Sequence, residues 1–199
     1  MGDFIKSTTI LKTIIKEWNQ IPVVVRQFVV RALLLLVFWF VAYTCILKQS
    51  AGLDNWLTKI TAQATTAGLN RFYNNGFVTE PMVSEIEGIK GVVTQYISLQ
   101  NKFAVYIVPR CNGLELFAAY IGFLVCVPGT IKKKLAFVLF GVVLIYLVNV
   151  LRCCILAWLN LNKPEWSEFA HHYAFTTIVY VFIFMLWVLF MKKTKTSEA

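Results

Sequence analysis

Residues 132–159, KKKLAFVLFGVVLIYLVNVLRCCILAWL, decide the fold. Three lysines are followed by 25 residues, 135–159, in which Arg152 is the only charge. A helix of that length rises about 38 Å, enough to cross a hydrocarbon core of about 30 Å. Working outward, similar apolar runs occupy residues 28–47, 112–128 and 169–191. The whole chain of 199 residues is 58% hydrophobic and 15% charged, with mean hydropathy +0.67. A water-soluble domain of that size does not carry such a composition. The reading is an all-α integral membrane protein, a four-transmembrane-helix bundle forming a single membrane domain over residues 1–199.

The net charge is +9, yet the basic residues do not form a continuous polar face of the kind that binds nucleic acid. They flank the apolar runs: Lys132, Lys133 and Lys134 before the third span, Lys192, Lys193 and Lys195 after the fourth. Short basic loops stay in the cytoplasm, so both termini are predicted to be cytoplasmic and four spans satisfy the parity. Residues 1–26 read as a cytoplasmic segment in which Ile10, Leu11, Ile14, Ile15 and Trp18 form one face of an amphipathic helix on the lipid surface. No cleaved signal is expected before the first span.

Residues 49–110 form the one long polar segment and are predicted to be a small extracytoplasmic α/β insertion. It opens on a moderately amphipathic stretch, Leu53, Trp56, Leu57 and Ile60, suited to a helix lying against the membrane. GVVTQYISL and FAVYIV then flank Gln100, Asn101 and Lys102, the pattern of a β-hairpin. Its second strand leads directly into Pro109, Arg110 and Cys111.

Three polar groups lie at one depth inside the predicted bundle. Cys111 and His171 each stand 21 positions from Lys132 and Lys192, about 32 Å along a helix. Arg152 stands 18 positions beyond Lys134, about 27 Å. Each has a role in acyl transfer: a thiolate nucleophile favoured at the start of a helix, a histidine moving protons near neutral pH, and an arginine stabilising the oxyanion or clamping a carboxylate. His172 adjoins His171, and the two project about 100° apart on a helix, so one of them is expected to face Cys111; His171 is the choice. Glu115, one turn beyond Cys111, is predicted to pair with Arg152. Asn149 shares the face of Arg152 and is predicted to hydrogen-bond between helices.

The five cysteines contain no C-x-x-C pair and no metal-ligand spacing, so no metal, cofactor or redox dithiol is expected. Cys45, Cys126, Cys153 and Cys154 read as small buried apolar residues. A thiol-redox enzyme is disfavoured on the adjacency of Cys153 and Cys154, and a small transporter on the absence of paired broken helices. A non-catalytic membrane scaffold, or a subunit of a surface-protein or polysaccharide export system, is the main competitor to an enzyme.

RCNGLELF around Cys111, NVLR ending at Arg152 and HHYAF from His171, in that order on successive helices, resemble the exosortase and archaeosortase family of membrane-embedded cysteine transpeptidases. The resemblance covers roughly residues 105–190. The family's histidine is often followed four residues later by glycine, where this chain has Phe175 when counted from His171. What the resemblance implies is a protease or transpeptidase in the inner membrane of a bacterium, with its site at the extracytoplasmic face. Its partners would be membrane lipid and exported proteins bearing a C-terminal transmembrane sorting tail. The acyl group would pass through a Cys111 thioester to an acceptor of unknown nature or to water.

Overall fold

A computed structural model describes residues 20–42, 52–73, 75–86 and 89–195. It contains two compact units, one ending at Val41 and one beginning at Ala42. The amphipathic helix read at the N-terminus and Cys45 lie outside the described residues.

In the first unit, helix α1 (Val23–Ala42) starts directly after Pro22. Proline fixes its own φ and lacks an N–H, so it sits comfortably where a helix begins; its carbonyl accepts the Arg26 N–H at 3.1 Å. The helix therefore begins five positions before residue 28, where the apolar run was expected to start. Leu34, Phe38 and Phe40 are each about two-thirds exposed.

The second unit opens with α2 (Gly52–Phe72), which leads into a three-stranded antiparallel sheet ordered β1 (Phe77–Ile86), β2 (Ile89–Leu99), β3 (Lys102–Ile107). The β2–β3 hairpin turns at Gln100 and Asn101, both with positive φ, 49° and 63°, as a tight two-residue turn compatible with strand twist requires. The hairpin is the one read from the sequence. Strand β1 was not foreseen, because Glu80, Pro81 and Ser84 interrupt its apolar pattern. Pro81 is tolerated because β1 is an edge strand.

The buried face of α2 differs from the one expected. Of the stretch read from the sequence Leu57 is buried, but Leu53 and Trp56 are exposed, and Thr58, Thr61, Ala62, Thr65 and Leu69 complete the buried face. Helix α2 packs this face on the hairpin and on a neighbouring helix. Two threonines of the stripe are satisfied in burial: Thr65 Oγ1 donates to the Thr61 carbonyl of its own helix at 2.8 Å, and Thr58 Oγ1 accepts from Asn112 Nδ2 at 3.3 Å.

Helix α3 (Leu114–Cys126) is followed by α4 (Ile131–Asn162). A short helix α5 (Pro164–Phe169) then runs through a π turn (Ala170–Ala174) into α6 (Phe175–Lys195). Helices α4 and α6 are long and apolar enough to cross a membrane, and only 22% of each apolar window is buried. A core helix of a soluble protein would be mostly buried, so this outward-facing apolar surface calls for a lipid environment. Helix α3 is apolar but has 13 residues, about 20 Å, and is shorter than the predicted span at 112–128. Val127, Pro128, Gly129 and Thr130 lie beyond it in non-helical backbone, because proline and glycine end helices.

Two buried clusters organise this unit. Tyr120, Leu124, Ile145, Val179, Ile183 and Phe190 join α3, α4 and α6. The Tyr120 ring lies where a side chain at Gly141 would stand, and its hydroxyl donates to the Phe137 carbonyl at 2.9 Å. A second cluster joins the sheet, α2, the far end of α4 and the π turn through Leu69, Ile97, Ile107, Cys153, Ala157 and Ala170. Asn160 of α4 pins β3 to it by donating to the Ala104 carbonyl at 2.7 Å. Cys111 packs on the edge of this second cluster.

Candidate active site

Between β3 and α3 the chain makes a single 3-10 turn, Pro109–Cys111, closed by the Cys111 N–H on the Val108 carbonyl at 2.8 Å. The helix that the sequence reading starts at Asn112, directly after Cys111, begins further on. Two residues separate Cys111 from Leu114, where α3 begins. Glycine explains the break: Gly113 has φ 88° and ψ 3°, a left-handed conformation that costs an L side chain of order 1–3 kcal/mol. A Cβ on Gly113 would also stand 3.4 Å from Asn149 Nδ2.

Asn112, fully buried, uses both ends of its carboxamide. Its Oδ1 accepts the Leu114 N–H at 2.9 Å, satisfying the first N–H of α3 from two residues back. Its Nδ2 reaches Asp54 Oδ1 at 2.9 Å, and the Asp54 carbonyl and Thr58 Oγ1 at 3.3 Å. The first turn of α2 thus holds the cysteine turn in place. This anchor was missed from sequence, although the polar Asn beside the candidate nucleophile was the available signal.

From the opposite side, α4 supplies Asn149 and Arg152. Three residues apart, they share a helix face. Asn149 Nδ2 donates to the Cys111 carbonyl at 2.9 Å, a bond to the 3-10 turn where one between helices was expected. Arg152 Nη2 lies 4.0 Å from Cys111 Sγ. Two buried polar atoms at this point have no hydrogen-bond partner: Asn149 Oδ1, an acceptor, and Arg152 Nε, a donor. Natural proteins rarely bury such atoms unsatisfied without a functional reason.

Glu115 is not part of this arrangement. It is exposed and makes no ion pair with Arg152. The predicted pairing assumed continuous helix from Cys111 to Glu115, and the 3-10 turn and left-handed Gly113 rotate Glu115 away from the cysteine's face.

His171 sits in the π turn, a one-residue widening of the helix that is frequent at functional sites. The turn's first residue, Ala170, is buried in the cluster on which Cys111 packs. His171 is partly buried and lines a cavity of about 290 Å³ with Asn160, Ser167 and Glu168. The backbone of His172 belongs to the same turn, but its side chain lies outside the described residues. Cys126, Cys153 and Cys154, like Cys111, are free thiols. Cys153 is buried, and Cys154 Sγ contacts the Thr65 carbonyl at 3.5 Å. Among the described residues, no three His, Cys, Asp or Glu side chains are grouped to hold a metal ion.

The structure therefore brings Cys111, Asn149 and Arg152 together, adds Asn112 and Asp54 as supports, and leaves Glu115 aside. No curated protein and no solved structure matches the chain. A family model described as transmembrane exosortase matches residues 23–190. That span covers all three motifs and most of the chain, and together with the outward-facing apolar helices it makes this an integral membrane protein. The chain belongs to the transmembrane exosortase family.

Proposed function

We propose that the protein is a cysteine transpeptidase that removes the C-terminal sorting tail of exported proteins at the extracytoplasmic face of the inner membrane. The observation that carries this reading is the approach of Arg152 Nη2 to within 4.0 Å of Cys111 Sγ on a turn braced from both sides. The Cys111 thiolate attacks the scissile carbonyl carbon and forms a tetrahedral oxyanion, which the Arg152 guanidinium stabilises. The C–N bond then breaks, and a histidine that took the thiol proton gives it to the leaving amine. The tail departs with its amine, and a thioester remains on Cys111. An amine, a hydroxyl or water attacks that thioester and releases the thiol. The unsatisfied Asn149 Oδ1 offers an acceptor to the bound peptide.

In this reading four spans place both termini in the cytoplasm. Helix α1 is the first, and α3 with the segment to Thr130 is the second. Glu115 has no part in the chemistry. His171 is the acid and base, on the support of its partial burial and of the Ala170 contact with the cluster beneath Cys111. Replacing a positioned proton-transfer group costs about 10² to 10⁴ in rate. Co-expression of a tail-bearing exported protein with His171→Ala is expected to slow tail removal by at least about 100-fold, with His172→Ala retaining most of the activity. A larger loss in His172→Ala would reverse the assignment.

A further inference from the structure

Outside the cysteine site, α2 and the face of β1 and β2 that is turned toward it enclose a groove of about 690 Å³. Asn55, Trp56, Lys59 and Gln63 line it from the helix, and Thr79 and Gln95 from the sheet. Gln95 is only 4% exposed, and its carboxamide has no hydrogen-bond partner among the described residues. Gln95 lies at the wall of an open groove, where a ligand can pair with its carboxamide. Asn55 spends Oδ1 on the Val93 N–H at 3.2 Å, which leaves its Nδ2 donor for a ligand. The Trp56 indole is 63% exposed at the same end. Asn70 is already bonded to both backbone groups of Phe77, so the unspent polar groups are concentrated toward the start of α2.

We propose that this groove binds an extended segment of polypeptide. Three properties select that ligand. A carboxamide carries donors and an acceptor in one plane and matches the alternating N–H and C=O groups of an extended chain. No Asp or Glu lines the groove, whereas the hydroxyls of a saccharide call for strong acceptors. From Asn55 to Asn70 the helix rises about 23 Å, the length of roughly seven extended residues. The residue before Asn55 is Asp54, which holds Asn112, so the groove begins one residue from the brace of the Cys111 turn. The proposal rests on the peptidase reading in taking this polypeptide to be the substrate's own chain near the scissile bond.

The test uses the full chain, purified in the sugar-free detergent lauryldimethylamine oxide and immobilised. It is offered a degenerate decapeptide pool and, separately, cellotetraose and chitotetraose. Wild type is expected to retain a subset of the peptides and neither oligosaccharide, and Trp56→Ala and Gln95→Leu to retain at least ten-fold less. Trp56 is exposed, so its replacement leaves the fold intact and keeps the comparison valid should Gln95→Leu fail to fold. Undiminished retention in Trp56→Ala, retention of the oligosaccharides in place of peptides, or retention of no peptide would overturn the proposal. Binding is read without turnover. A chain that holds peptides yet processes substrate normally as Cys111→Ala loses the peptidase reading and keeps the groove, and the opposite pair of results removes the groove alone.

Discussion

Cys111→Ala stops tail removal, with a fall of at least about 10⁴-fold, the scale on which loss of a nucleophile acting as part of a unit is felt. The size of the effect follows from the chemistry. Without the thiol there is no covalent intermediate, and a water that His171 and Arg152 could assist has no group holding it in line with the scissile carbonyl. The fold is not at stake, since Cys111 is only partly buried and its position is set by backbone and neighbours: the Asn149 bond to its carbonyl, and the Asn112 bonds to Asp54. Cys111→Ser is expected to be nearly as inactive, because a hydroxyl is a far weaker acid and nucleophile than a thiol and a site built to use a thiolate does not generate the alkoxide. The check is a pulse-chase of a tail-bearing protein, scored by its loss of mass, with membrane levels of each variant measured in parallel.

Arg152→Ala lowers the rate by about 10² to 10³, the usual cost of removing one donor to a developing oxyanion. The loss is expected in kcat with KM little changed, the mark of an interaction made in the transition state and not in the ground state. Arg152→Lys restores little, since an ammonium is a point charge on a flexible stem and cannot present two fixed N–H groups to thiol and oxyanion together. Steady-state rates of purified variants on a tail-bearing substrate check this. A fall in affinity alone, with kcat preserved, would make Arg152 a substrate clamp. Arg152 Nε is buried without a partner, so the Ala variant also relieves an unsatisfied donor. Its stability should therefore hold even as its activity falls.

How much of this was legible in the sequence varies with the physics behind each element. The long apolar helices α4 and α6 were legible because a stretch of more than 20 residues with scarcely a charge has few other fates. The hairpin was legible through its β-branched strands and polar turn. Strand β1 was not, since edge strands tolerate Pro81 and charges that a buried strand would exclude. The buried face of α2 was misread in part because buried threonines, of which Thr65 bonds its own helix, pass for polar surface in a hydropathy pattern.

At the site, the i, i+3 spacing of Asn149 and Arg152 placed both on one face correctly, since α4 is regular helix throughout. The same counting failed for Glu115, because a single left-handed glycine lies between it and Cys111. Helical arithmetic holds only where helix is continuous. The anchoring of Asn112 to Asp54 and Thr58 joins residues more than 50 positions apart, and no local pattern announces such a contact.

The central claim is that Cys111 carries the substrate's acyl group. The most direct measurement is mass spectrometry of the enzyme quenched in acid during turnover of a tail-bearing protein. The account predicts an adduct on the Cys111 peptide equal in mass to the substrate portion preceding the cleavage point, released by hydroxylamine as a thioester is. Rapid tail removal with Cys111 unmodified throughout would contradict it and leave the thiol and its arginine as parts of a scaffold.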